Sequence, residues 1–325
     1  MNVMSVAGPV KAEDLGRTLV HEHVVITMPG EELDPAYAPD RREVVAMATD
    51  QLQKLKDHGV SSLVDPCPIE LGRNPELYAE VSQRSGVNII FSTGFYFEAM
   101  GIPLYWRARD ADEIADFYLK ELTDGVGKTG LRPGVIKAAT GMDFSPNEQK
   151  CLSGAAMAQR QADCAIITHT EHSRHGDRQQ QTFAENGANL ARVMIGHQDE
   201  QTSPEPILAL AQRGTFVAVD RIGLDSLASD DTRADNVAAV VKAGFVRQMC
   251  LSHDCVCSLT APRFPFPMPK EKRPQNPAKS WAEKQKPLTF LLTDFLPKLK
   301  ARGVTDADID TMLRDNPRRL LTGAA

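Results

Sequence analysis

No apolar run in the 325-residue sequence approaches the roughly 20 residues that a membrane-spanning helix requires, so no membrane partner is expected. The stretch Met1 to Val10 carries neither a basic segment nor a long apolar one, so no secretory signal is expected there. An excess of positive charge is also missing. Lys and Arg number 37 against 43 Asp and Glu, a net charge of −6, which leaves no footprint for a nucleic-acid backbone. Cysteine is sparse: Cys67, Cys151, Cys164, Cys250, Cys255 and Cys257 are too scattered for a disulfide framework and fit a reducing compartment, so the cytoplasm is expected. Cys255-Val-Cys257 lacks the second Cys or His pair of a zinc site and reads as buried or pocket-lining thiols. No glycine-rich phosphate turn follows the first apolar run, and no internal repeat or domain boundary is visible.

What is present is an alternation. Short apolar or β-branched runs occur at 18–23, 60–64, 87–93, 134–138, 165–169, 192–197, 216–219 and 248–252, most of them followed by a helical pattern. Eight strands alternating with helices point to a parallel α/β sheet, and the missing phosphate turn favours a closed (β/α)8 TIM barrel over an open doubly wound sheet. Residues 1–325 are expected to form a single barrel domain, large enough to bury its own core. One stretch breaks the rhythm: 257–286 is rich in proline and aromatics and reads as a long substrate-covering loop after strand eight. With Phe97, its Cys257, Phe264, Phe266 and Trp281 are the candidate lining of a substrate pocket.

The chemistry-bearing residues fall at the ends of these runs, the rim where barrels place their sites. His21 and His23 end strand one, Lys137 lies near the end of strand four, His169 ends strand five, His197 ends strand six and Asp254 follows strand eight. Residues i and i+2 of a strand share a face, so His21 and His23 can grip one cation while Glu22 points away. Lys137 needs a separate argument, because an ammonium repels a metal. A lone barrel lysine is more often paired with a carboxylate. Among candidate cation ligands its neutral amine can instead take up carbon dioxide, and the carbamate is an anionic oxygen ligand. His172 and His175 read as rim residues of the following loop.

The ordered set Val20-His-Glu-His23, Val135-Ile-Lys137, Thr168-His-Thr170, Ile195-Gly-His197 and Ser252-His-Asp254 resembles the phosphotriesterase family of the amidohydrolase superfamily, nearly over the whole length. The resemblance implies N6-carboxylysine at Lys137, a bridging hydroxide and two divalent metal ions. His21, His23 and Asp254 would hold the buried ion, His169 and His197 the more exposed one, with Lys137 between them. Zinc is favoured, and cobalt, manganese or iron also suit such ligands. A homodimer is implied too.

Two further residues narrow the substrate. Tyr96 follows strand three where organophosphate-degrading members carry tryptophan, and Arg221 follows strand seven; both resemble the phosphotriesterase-like lactonases. The expected reaction is hydrolysis of acyl-homoserine or related lactones, with Asp254 moving the proton and Tyr96 and Arg221 orienting substrate, and with promiscuous phosphotriesterase activity. The alternatives are a phosphotriester or carboxylester hydrolase without lactone preference and a non-catalytic ligand-binding barrel, which six intact ligands disfavour. Glu200 stands three residues after His197, where relatives with a proton relay carry an acid, and Cys255 replaces an arginine that often follows the strand-eight aspartate.

Overall fold

The structure is a computed structural model that describes residues 1–261, 269–272 and 286–324. The expected pocket residues Phe264, Phe266 and Trp281 lie outside the described residues. The chain opens with an antiparallel hairpin, β1 (Asn2–Ser5) and β2 (Gly8–Lys11). Ten further strands are numbered in chain order. Eight form one parallel sheet in the order β3 (Arg17–Leu19), β5 (Val60–Asp65), β6 (Asn88–Gly94), β7 (Val135–Thr140), β8 (Ala165–Thr170), β9 (Val193–Ile195), β10 (Phe216–Val219) and β11 (Met249–Leu251). The remaining two, β4 (His23–Ile26) and β12 (Val256–Leu259), pair in parallel with each other at the rim. The architecture is the (β/α)8 barrel the alternation predicts.

Helices cover the sheet: α1 (Arg41–Asp57), α2 (Pro75–Ser85), α3 (Leu104–Arg107), α4 (Ala111–Asp124), α5 (Pro146–Ala162), α6 (Gly176–Glu185), α7 (Glu205–Gln212) and α8 (Asp230–Lys242). Their starts are written locally. Asp40 accepts from Arg42 N, Asn74 from Leu77 N ahead of Pro75, and Ser145 and Glu148 form a reciprocal capping box around Pro146. In α1 the buried residues Val44, Ala48, Leu52 and Leu55 recur at helical spacing and face the sheet. The helix α7 escapes the sequence pattern because it is only 8 residues long. Among the described residues no helix is long and apolar enough to cross a membrane.

Alternation along the strands divides the core in two. Ile89, Phe91, Ile136, Ile166, Val217 and Leu251 pack outward against helices, while Ile90, Val135, Ile167, Met194, Ala218 and Cys250 fill the barrel interior. Carried upward, the inward series 135, 165–167 and 216–218 reaches Lys137, His169 and Asp220. His197 would break it, since Met194 faces inward. The chain corrects the parity after β9 ends at Ile195 by placing His197 itself in the left-handed region, φ 55°. Gly196 permits this approach, because a Cβ there would sit 2.1 Å from Thr168 O.

The barrel closes without a ladder between β3 and β11. The predicted first strand 18–23 is interrupted at 20–22, and Glu22 points away from the rim centre into the seam. Its Oε1 accepts from Ser252 Oγ (2.7 Å), His253 N (2.8 Å) and His253 Nδ1 (2.8 Å), and Oε2 accepts from Cys255 N (2.9 Å). His21 N donates to Ser252 Oγ (3.0 Å) and Asp254 N to His21 O (3.0 Å), completing the closure. The predicted long loop also begins differently: its first residues are the end of β12.

Candidate metal centre

The four rim histidines are each held by a carboxylate. His21 Nδ1 donates to Asp220 Oδ2 (2.7 Å) and His197 Nδ1 to Asp220 Oδ1 (2.9 Å), which also accepts from His197 N (2.7 Å). His23 Nδ1 donates to Asp65 Oδ1 (3.2 Å), whose other oxygen accepts from Val24 N (2.8 Å). With the proton fixed on Nδ1, the rings of His21 and His197 present the lone pair of Nε2. Against burial, the hydrogen bonds to Asp254 and Asp65 raise the His23 ring well above its ordinary range, so a cation there would displace the proton on its Nε2. His169 is held the other way round. Its Nε2 donates to Glu171 Oε2 (2.8 Å) and its Nδ1 lies 3.4 Å from Tyr96 Oη.

The Nε2 atoms of His21, His23 and His197 converge on Asp254. Its Oδ1 lies 3.7 Å from His21 Nε2 and 3.2 Å from His23 Nε2, and its Oδ2 lies 3.7 Å from His197 Nε2. Asp254 is reached through a left-handed backbone, φ 54°, pinned on both sides by the Glu22 bonds to His253 N and Cys255 N. Burial opposes its charge, but the hydrogen bond from His23 Nε2 and the positive field of Arg221 outweigh this and hold the carboxyl well below its usual range. Lys137 Nζ sits 3.2 Å from His21 Nε2 in the same buried space. Burial pulls its ammonium down to about 8, against attraction by Asp254 and Asp220, so a neutral amine is accessible near physiological pH. Burial and Lys137 likewise push His21 well down, which keeps that ring neutral. Imidazole nitrogens and a carboxylate with their other atoms already bonded are a donor set that fits a divalent transition cation. Among the described residues, His21, His23 and Asp254 stand close enough to share one.

Above this floor opens a cavity of about 450 Å³. Tyr96, Phe97 and Met100 form one wall, and Ile26, Leu71, Leu224 and Leu259 supply apolar surface around it. Arg221 reaches in from the loop after β10, its Nε 3.1 Å from Asp254 Oδ2 and its Nη1 3.7 Å from Glu200 Oε1. Phe97 lies where it was expected. Cys257 does not: on β12 it is Val256 that faces the cavity, and alternation turns Cys257 into the packed core near Gln51. Glu200 accepts from His172 Nδ1 (2.7 Å), a half-exposed rim residue, and His175 Nε2 bonds Met142 O (2.8 Å).

The sequence profile of the phosphotriesterase family matches residues 1–321. The chain belongs to the phosphotriesterase family. It is accordingly a hydrolase acting on ester bonds. A phosphotriesterase homology protein of Mycobacterium tuberculosis is 33% identical over 323 residues, covering 96% of this chain and 95% of that protein. An aryldialkylphosphatase of Saccharolobus solfataricus is 27% identical over 315 residues, covering 96% and 97%. A mutant of a phosphotriesterase-like lactonase from Deinococcus radiodurans superposes with a TM-score of 0.89 at 33% identity, covering 98% of this chain and 99% of that one.

Within this phosphotriesterase-family site, sequence reasoning missed the carboxylates behind the histidines. Asp65 ends β5 and Asp220 follows β10, so the strand-end rule that picked out the histidines applied to them as well. Glu171, Glu22 and the pair Asp199–Arg233 had no such signal. Asp199 accepts from Asp220 N (3.0 Å) and Arg221 N (2.9 Å) and is bonded by the fully buried Arg233 (3.1 Å), which fixes the segment carrying both site residues.

Proposed function

We propose that this family member opens lactone rings bearing an apolar chain. The observation that carries the reading is the division of the cavity: apart from Ser226, hydrogen-bonding side chains stand on the floor and at Tyr96, Glu171 and Arg221, while the surrounding wall is largely apolar. His21, His23 and Asp254 would hold one divalent cation, and His169 and His197 would hold a second, with Lys137 contributing as its carbamate; zinc would suit this donor set best. When bound, such cations lower the pKa of water and polarise a carbonyl oxygen.

The residues of the chain do the rest. Asp254 takes the proton of the attacking water and passes it towards the leaving alkoxide. Arg221 holds Asp254 through Oδ2 and turns its charge towards the substrate's polar head. Burial raises the Tyr96 phenol, so it stays protonated and serves as a hydrogen-bond donor beside His169. Ile26, Leu224 and Leu259 receive the chain of the substrate and exclude water from the ring. Rates on one metal-analysed preparation with lactones of graded ring size and chain length, aryl esters and paraoxon test the reading. The expectation is a kcat/KM for long-chain lactones at least tenfold above the esters and paraoxon; equal values across the panel overturn the lactone preference.

A further inference from the structure

Of the four carboxylate contacts behind the candidate ligands, one differs from the rest. Asp65 and Asp220, which hold His21, His23 and His197, are fully buried. Glu171, which holds His169, stands on the cavity wall with a quarter of its side chain exposed. It also takes the opposite ring nitrogen, Nε2 instead of Nδ1. We infer that Glu171 is a positioning residue: by accepting the Nε2 proton of His169 it makes Nδ1 the donor atom of that ring and sets the affinity of the more exposed cation position.

The turn that delivers Glu171 is built for the purpose. His172, Ser173 and His175 all adopt left-handed backbone, φ 49°, 56° and 63°, a conformation that side-chain-bearing residues seldom take. Three bonds hold the turn in that shape. Ser173 Oγ donates to His197 O (2.6 Å) and accepts from Glu200 N (3.0 Å), and Arg174 N donates to Glu171 O (3.0 Å). Gln179 Nε2 fixes the His169 end by donating to His169 O (2.7 Å). A turn serving only to connect β8 to α6 needs no run of such residues. This one places a carboxylate two residues after a candidate ligand, pointing back at it. A carboxylate on the far nitrogen of a metal-binding imidazole fixes its tautomer and strengthens it as a donor, an effect of about 10–100-fold in metal affinity.

The inference rests on the two-cation reading, and the test separates the two. In metal-free, 15N-labelled protein the His169 proton should reside on Nε2; Glu171→Ala should abolish that preference, and Glu171→Gln, whose amide oxygen still accepts, should retain it. In cobalt titrations against a competing chelator, Glu171→Ala should weaken one of the two ions by about 10–100-fold and leave the other unchanged, with a smaller loss in Glu171→Gln. Two ions in the wild type with both affinities unchanged in Glu171→Ala, or both falling together, overturns the inference alone, as does a wild-type proton on Nδ1. Fewer than two ions in the wild type overturns the two-cation reading and the inference with it.

Discussion

Glu22→Gln removes one of two acceptor oxygens from the seam that closes the barrel. With the amide oxygen left in the Oε1 position, Ser252 Oγ, His253 N and His253 Nδ1 keep an acceptor, but it is neutral. The new NH2 then faces Cys255 N, donor against donor. A buried amide N–H deprived of its partner costs about 1–3 kcal/mol, and hydrogen bonds to a charged acceptor are worth roughly 1.5–3 kcal/mol against about 1 kcal/mol for neutral ones. The expected loss is about 2–4 kcal/mol, read as a lowered urea midpoint of the metal-free protein at unchanged slope. Glu22→Ala, which strands all four donors, should lose more. Function should suffer with stability, because the two backbone amides bound by Glu22 flank Asp254 and hold it in its left-handed conformation. The Gln variant should therefore bind metal more weakly as well. An unfolding free energy within about 0.5 kcal/mol of wild type would refute the seam argument, since a hydrogen bond to a charged acceptor is worth roughly 1.5–3 kcal/mol.

Glu70 lies under the Tyr96 loop, where both its oxygens accept from Tyr96 N, and burial raises its carboxyl from 4.5 to about 7. The folded state thus keeps a proton that the unfolded state has released, so stability should fall as pH rises from 4.5 towards 7. Glu70→Gln should match wild type at pH 4 and exceed it by about 1–3 kcal/mol at pH 8; identical pH profiles in chemical denaturation would refute this. Tyr96→Phe should lower kcat by about tenfold, the worth of one hydrogen bond, with KM little changed in steady-state kinetics. Chelation should abolish turnover and lower Tm by mass action, and reconstitution with zinc should be faster when bicarbonate is added, because the carbamate proposed on Lys137 would form from carbon dioxide. Equal reconstitution rates with and without bicarbonate would count against the carbamate.

The barrel was legible because its strands carry short apolar or β-branched runs and its helices announce themselves by caps and apolar spacing. His169 and Asp254 were legible for a related reason: a rim position can be counted along a strand of known period. Lys137 was singled out by its company and by the resemblance, and the structure brings all three to one floor with His21, His23 and His197. Where counting along the strand fails, the backbone decides. His197 faces the centre only because its own backbone is left-handed, and Cys257 faces the core because Val256 takes the inward register.

By itself, then, the sequence determined the order of strands and helices and which candidate ligand residues stand at the rim, since both follow from local periodicity and side-chain chemistry. Tertiary structure alone decided which nitrogen each imidazole presents. Asp220 reaches His21 across 199 residues of sequence and Glu22 reaches Ser252 across 230, and no local pattern encodes a partner at such a distance. Even Glu171, two residues from His169, became meaningful only once the turn folded it back. A strand would have sent the two side chains up in parallel, whereas the left-handed residues that follow bring the carboxylate onto the ring.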